Sequence, residues 1–211
     1  MSVNLNKSQQ TSTRLFQNPL LEAATHVHPI IPLVLWGPIV SYLIYWTAQR
    51  LPWSAILIWA VIGLLVWTLS EYIMHRVVFH FQAKGPIGRY MVYLFHGIHH
   101  DEPGDATRLV MPPVPAVAIA SVFYLAFSFL VGDLYAKPLF AFFIVGYLGY
   151  DYIHYATHHF RCQHPVLKFL KHQHMLHHHI VGDGNFGVSS PLWDLILGTY
   201  HRQNPKNLKG G

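Results

Sequence analysis

Residues 30–48, 54–70 and 114–131 contain no Asp, Glu, Lys, Arg or His. Each approaches the ~20 apolar residues that carry a helix across a bilayer. In hydrocarbon the backbone must satisfy its own hydrogen bonds, which a helix does within a single segment. A fourth stretch, 139–150, has only 12 residues. It is expected to reach a usable length by continuing through Asp151 to His154 as the helix leaves the hydrocarbon. Arg50, Leu51, Pro52 and Trp53 are nearly all that separates the first two stretches, so a tight helical hairpin is expected there. Buried helices of a soluble protein are the competing reading. Composition weighs against it: charged residues make up 11% of the 211, where soluble domains carry about 25%. The expectation is an all-α membrane protein with four transmembrane helices in two hairpins, spanning about 30–48, 54–72, 114–131 and 138–154.

The basic residues orient this arrangement. With four spans, Lys7, Arg14, Arg76, Lys84, Arg89, Arg108, Arg161, Lys168, Lys171, Arg202, Lys206 and Lys209 share one side, and only Arg50 and Lys137 face the other. The positive-inside rule makes the richer side cytoplasmic. Dropping the fourth span would move the basic C-terminal tail across the membrane, so the charge pattern argues for keeping it. The net charge of +5 then points to lipid headgroups, and no nucleic-acid partner is expected. Residues 1–28 read as a polar leader with no apolar core of a signal peptide. The single cysteine, Cys162, excludes internal disulfides and cysteine-rich metal sites.

All 17 histidines fall on the cytoplasmic side of this arrangement or at its edge. Most lie in four groups: HRVVFH (His75, His80), HGIHH (His96, His99, His100), HYATHH (His154, His158) and KHQHMLHHH (His174, His177, His178). Residues three and four apart share a helix face, and adjacent ones splay by about 100°. His75 and His80 are five apart and diverge by about 140° on an α-helix, which suits two different metals better than one. One such pair is weak evidence. Four groups on one side of a membrane are not, because burying unpaired imidazoles is costly. Ten ligands exceed the four of a structural zinc site and fit two metals of five nitrogens each, with the splayed neighbours bridging the pair. His159 and His179 are alternative ligands in the last two groups. Glu71, one turn before His75, and Asp151, three residues before His154, are placed to accept a ligand's free ring N–H. Asp194 reads as a brace of the C-terminal fold, with no chemistry assigned to it. Trp67, Tyr93, Phe95 and Trp193 could line a substrate opening, although core packing is the simpler reading of each. Imidazole suits Zn, Cu, Fe and Ni alike, so ligand softness does not choose the metal.

Over about 67–200 the sequence resembles the fatty acid hydroxylase superfamily of membrane di-iron enzymes, and within it the fatty acid 2-hydroxylases. The resemblance rests on EYIMHRVVFH, LFHGIHH, RLVMPP at 108–113 and FGVSSPLWD at 186–194. It implies that 29–211 form a hydroxylase domain with a cytoplasmic helical cap over the spans. The implied metal ligands are His75, His80, His96, His99, His100, His154, His158, His174, His177 and His178. It also implies two iron ions, with zinc able to substitute inertly, and O₂ as cosubstrate. The implied reaction hydroxylates carbon 2 of a long acyl chain in a sphingolipid or ceramide-like lipid. Many members carry a cytochrome b5 domain, which the short leader cannot contain. Electrons are therefore expected from a separate cytochrome b5-like or ferredoxin-like donor with its reductase. The expected location is the endoplasmic reticulum of a eukaryote or the inner membrane of a bacterium. Two other readings stay open: hydroxylation or desaturation of a sterol or carotenoid, and non-redox metal handling.

Overall fold

The computed structural model describes residues 12–179 and 183–202. Residues 1–11 of the expected leader lie outside the described residues, as do Lys206 and Lys209. The described chain is helical. In order come α1 (Pro19–Thr25), α2 (Ile31–Ala48), α3 (Trp53–Ile73), α4 (Pro86–Val92), α5 (Ile98–Asp101), α6 (Pro113–His159), α7 (Pro165–His179) and α8 (Leu192–Leu197). π-helical turns extend α3 over Met74–Phe79 and join α4 to α5 over Tyr93–Gly97.

Three helices are long and apolar enough to cross a membrane: α2, α3 with its π-helical extension, and α6. α6 is broken at Gly132, whose φ of 78° and ψ of 155° lie where a side chain would be strained. The Phe123 and Phe143 ring centroids are 4.6 Å apart. Twenty residues of straight helix would separate them by about 30 Å, so the chain doubles back at Gly132. The sequence places the start of this last segment near 138. In the structure helix resumes directly after Gly132, with Lys137 paired to Asp133 one turn along, and this supplies the length that 139–150 lacks.

The second half of α6 is the centre of the bundle. α2 meets it through Trp36, edge-on to Phe140 at 6.3 Å, and α3 meets it through Gly63 and Trp67. α2 and α3 are joined by the expected short turn but pack mainly onto α6 rather than each other. Gly63 faces Leu139 and Phe142, and four residues on Trp67 faces Gly146, so α3 and this half of α6 ascend together. About two more turns bring His75 level with His154. Outward-facing side chains of the bundle are large and apolar, among them Leu57, Ile58, Val61, Val122, Leu125 and Phe129. A monomeric soluble protein rarely exposes so extensive an apolar surface; lipid covers it at no cost.

The polar leader contributes to the fold. Its second half folds onto the histidine-bearing end as a strap. Asn18 caps α1 by accepting from Leu20 and Leu21 N–H. Glu22 accepts from the backbone of Leu15 and Phe16 at 2.9 and 2.8 Å and pairs with Arg108, whose side chain is buried. Val27 then donates to Thr107 O at 2.7 Å. The composition of these residues is that of a loop, and the ionic partners that order them lie about eighty residues away.

Candidate metal centre

Ten histidines converge at this end in two groups of five. His75, His80, His96, His100 and His177 form one; His99, His154, His158, His174 and His178 form the other. Within each, the facing ring nitrogens all lie within 4.8 Å of one another. The close approaches are between Nε2 atoms: His75 to His96 at 3.0 Å, His100 to His96 at 2.9 Å and His80 to His177 at 3.1 Å. In the second group, His154 and His178 each approach His99 at 3.0 Å, His178 approaches His174 at 3.0 Å, and His158 approaches His174 at 2.7 Å.

These distances fit a shared cation. Two imidazoles ~2.1 Å from one ion and at right angles stand about 3.0 Å apart. The tautomers agree. His75 Nδ1 lies 2.5 Å from Phe186 O and His177 Nδ1 lies 2.8 Å from Gly184 O. A carbonyl only accepts, so each Nδ1 carries the proton and each Nε2 presents a lone pair inward. Lone pairs facing one another in a buried site repel unless a cation lies between them.

The partition corrects the helix reading in two respects. The i, i+4 pairs stay together, but His96 and His99, and His174 and His177, expected to share a face, fall in different groups, because the third and fourth residues along a helix point about 100° apart from each other. The second respect concerns His75 and His80. His99 and His100 splay into different groups, as do His177 and His178, so adjacent ligands tie the two groups together. His154 and His158 stack one turn apart in the second group. His75 and His80, expected to diverge, share the first. The reason is the π-helical turn between them, in which His80 N–H reaches His75 O at 3.2 Å; an i→i+5 closure brings residues five apart to the same face. His159 lies tilted against Tyr155 at 4.6 Å and His179 is exposed; neither joins a group. His26, His28, His164 and His201 stand outside both groups.

The two carboxylates are placed otherwise than the spacing suggested. Glu71 accepts from Val188 and Ser189 N–H at 2.7 and 2.8 Å and from the Ser189 hydroxyl, not from an imidazole. Asp151 is buried with Oδ2 unpartnered among the described residues. The groups that do hold ligand rings, the carbonyls of Gly184 and Phe186, were missed, because a backbone acceptor has no residue-type signature. The available signal was the glycine spacing of GNFG. A Cβ at Gly187 would lie 2.0 Å from Ser190 O, and one at Gly184 would lie 2.1 Å from His201.

Burial keeps these rings neutral. His96, His99 and His174 are held well below the usual imidazole pKa, first by desolvation and then by repulsion from neighbouring rings. Neutral imidazole is the form that binds metal.

The fatty acid hydroxylase profile matches residues 60–199, which hold all ten histidines. The chain belongs to the fatty acid hydroxylase family. It is 37% identical over 190 residues to a dihydroceramide fatty acyl 2-hydroxylase of Arabidopsis thaliana, covering 88% of this chain and 79% of that one. It is 35% identical to a ceramide very long chain fatty acid hydroxylase of Schizosaccharomyces pombe and 33% identical to a fatty acid 2-hydroxylase of Rattus norvegicus. Those matches cover 87% and 88% of this chain, which spans 53% and 56% of the two relatives. Among solved structures, full-length scs7p with only its hydroxylase domain visible is similar at a TM-score of 0.83 and 36% identity, over 89% of this chain and 71% of that one.

In this hydroxylase-family fold a cavity of about 340 Å³ runs from the strap to the metal centre. Leu15, Phe16 and Leu21 line its strap end, Met111, Phe123 and Ile144 its apolar wall, and His96, His99 and His154 its floor. It therefore touches both histidine groups. Of the four aromatic candidates, Trp67 and Phe95 line it. Tyr93 lines a separate hollow beside His80, and Trp193 donates to Thr68 instead.

Proposed function

We propose that this chain hydroxylates carbon 2 of a long fatty acyl chain, carried in a sphingolipid or ceramide-like lipid. The observation that carries the reading is the apolar cavity ending on both histidine groups, in a chain whose relatives are named acyl 2-hydroxylases. The ten histidines are the proposed ligands of two irons. When bound, the irons supply the O₂ chemistry that turns a C–H bond into C–OH, with two electrons and two protons consumed and one water released. Electrons come from a separate cytochrome b5-like or ferredoxin-like donor.

The chain's own contributions are positioning and exclusion of water. Phe123, Ile144 and Met111 take the acyl tail by apolar burial, worth about 0.8 kcal/mol per CH₂. His75 and His177 have their donor nitrogens turned inward by the loop carbonyls. The strap closes its own end of the cavity, tied down by Glu22 pairing with the buried Arg108. Four crossings, with the break at Gly132 as the second hairpin, place the centre in a cytoplasmic cap, where a lipid can leave its tail among the helices.

The test is expression in a host free of 2-hydroxy lipids, with labelled fatty acid supplied and released acyl chains analysed by mass spectrometry. Labelled 2-hydroxy acid is expected with the wild-type chain and none with His178→Ala. A double bond, a hydroxyl elsewhere, or a modified sterol or carotenoid would assign a different reaction. Unchanged lipids, despite two bound irons and a working donor, would favour metal handling.

A further inference from the structure

The two histidine groups are equal in number and unlike in support. In the first, the Nδ1 atoms of His75 and His177 are held by the carbonyls of Phe186 and Gly184. In the second, Nδ1 of His154, His174 and His178 is buried without a partner among the described residues. Both supporting carbonyls come from one loop, 184–189. That loop is held by two carboxylates that touch no imidazole. Asp194 accepts from Phe186 and Gly187 N–H at 2.9 and 2.7 Å, and Glu71 accepts from the next two, Val188 and Ser189, at 2.7 and 2.8 Å. Four consecutive amides therefore end on two buried side chains. Thr199 also donates to Asp194 at 2.7 Å, and Asn185 enters the loop at a φ of 55°.

We infer that Glu71 and Asp194 are positioning residues for the metal held by His75, His80, His96, His100 and His177, acting through loop 184–189, and that this metal is held more tightly than its neighbour. A ligand imidazole whose free N–H is bonded is fixed in tautomer and ring angle and is more basic; losing such a partner typically costs 10–100-fold in metal affinity. Glu71 sits one turn before His75, so the helix that carries a ligand also anchors the loop that orients it. A leucine there keeps roughly the volume but removes both acceptor oxygens and leaves the Val188 and Ser189 amides unpaired. A glutamine would not, because its oxygen can replace Oε1 and its NH₂ can donate to the Ser189 hydroxyl. The inference depends on metal binding alone and holds whichever lipid is the substrate.

Zinc release tests it, without reference to turnover. The full chain is loaded with zinc in detergent and mixed with a chromogenic chelator. Wild type is expected to release one zinc slowly and one fast, and His75→Ala to lack the slow phase. Glu71→Leu and Asp194→Asn should accelerate the slow phase on the order of 10–100-fold while the fast phase is unchanged. Ser189→Ala, which removes one hydroxyl from Glu71, should accelerate the same phase by less, and it decides the matter if the carboxylate variants do not fold. A slow phase that survives His75→Ala overturns the assignment. So does equal acceleration of both phases, the result of a merely structural role, or an unchanged slow phase in folded variants.

Discussion

His100 and His177 sit among other imidazoles with little water to screen them, and burial, aided by neighbouring rings, pulls their pKa values down to about 3 and about 4. An imidazole in the unfolded chain titrates near 6.5. Between those values the unfolded state binds protons that the native state refuses, so stability rises with pH across that interval. The metal-free protein is therefore expected to hold a level melting temperature above pH 6.5 and to lose stability progressively from 6.5 down to about 4. Thermal unfolding in detergent across this range checks the sign; a rise in melting temperature on acidification would contradict it. Metal deepens the trend, because protons and cations compete for the same lone pairs. At this scale the gathering of the ten histidines was legible, since histidine in such density has few other uses. The supports were not: Glu71 was visible as a carboxylate one turn from His75, but its partners, Val188 and Ser189, lie far along the chain.

Helix packing turns on two close approaches. A Cβ at Gly63 would lie 2.7 Å from Leu139 O, and one at Gly146 would lie 2.6 Å from Trp67 Cβ. Small residues at such contacts let membrane helices approach closely. Gly63→Ala is expected to cost about 1–3 kcal/mol by overpacking and to lower the melting temperature in detergent. Gly37→Ala is the control: its nearest neighbour would be Leu33 at 3.8 Å, and in a helix alanine is better than glycine by about 1 kcal/mol. Equal losses from both would show that the α3–α6 approach is not what glycine serves. The elements also mark where helical periodicity misleads. An α-helix separates His75 from His80, and the π-helical turn reunites them.

For the molecule as a whole, the four-crossing arrangement makes an accessibility prediction. In a Cys162→Ser background, new cysteines at Lys84 and Arg202 should be labelled from the cytoplasm by an impermeant thiol reagent, and cysteines at Arg50 and Lys137 should not. Labelling at Lys84 with protection of both Lys137 and Arg202 would remove the last crossing, and with it any site shared by His80 and His177. The cavity belongs to this scale too, because its lining comes from the strap, α3, α6 and the metal end at once.

The sequence by itself determined that the chain is a helical membrane protein with its imidazoles gathered at one end, because those conclusions rest on local quantities: the length of uncharged runs, the distribution of Lys and Arg, and the density of histidine. It also determined how adjacent histidines splay, a property of any helix. Only the tertiary structure decided that His75 and His80 fall in one histidine group, that the leader's second half is a strap, and that Glu71 and Asp194 hold a loop rather than a ring. Each of these depends on a pairing between distant segments or on a local departure from 3.6 residues per turn. Such departures persist where packing and ligand geometry repay their cost, and the periodicity of a sequence carries no term for that.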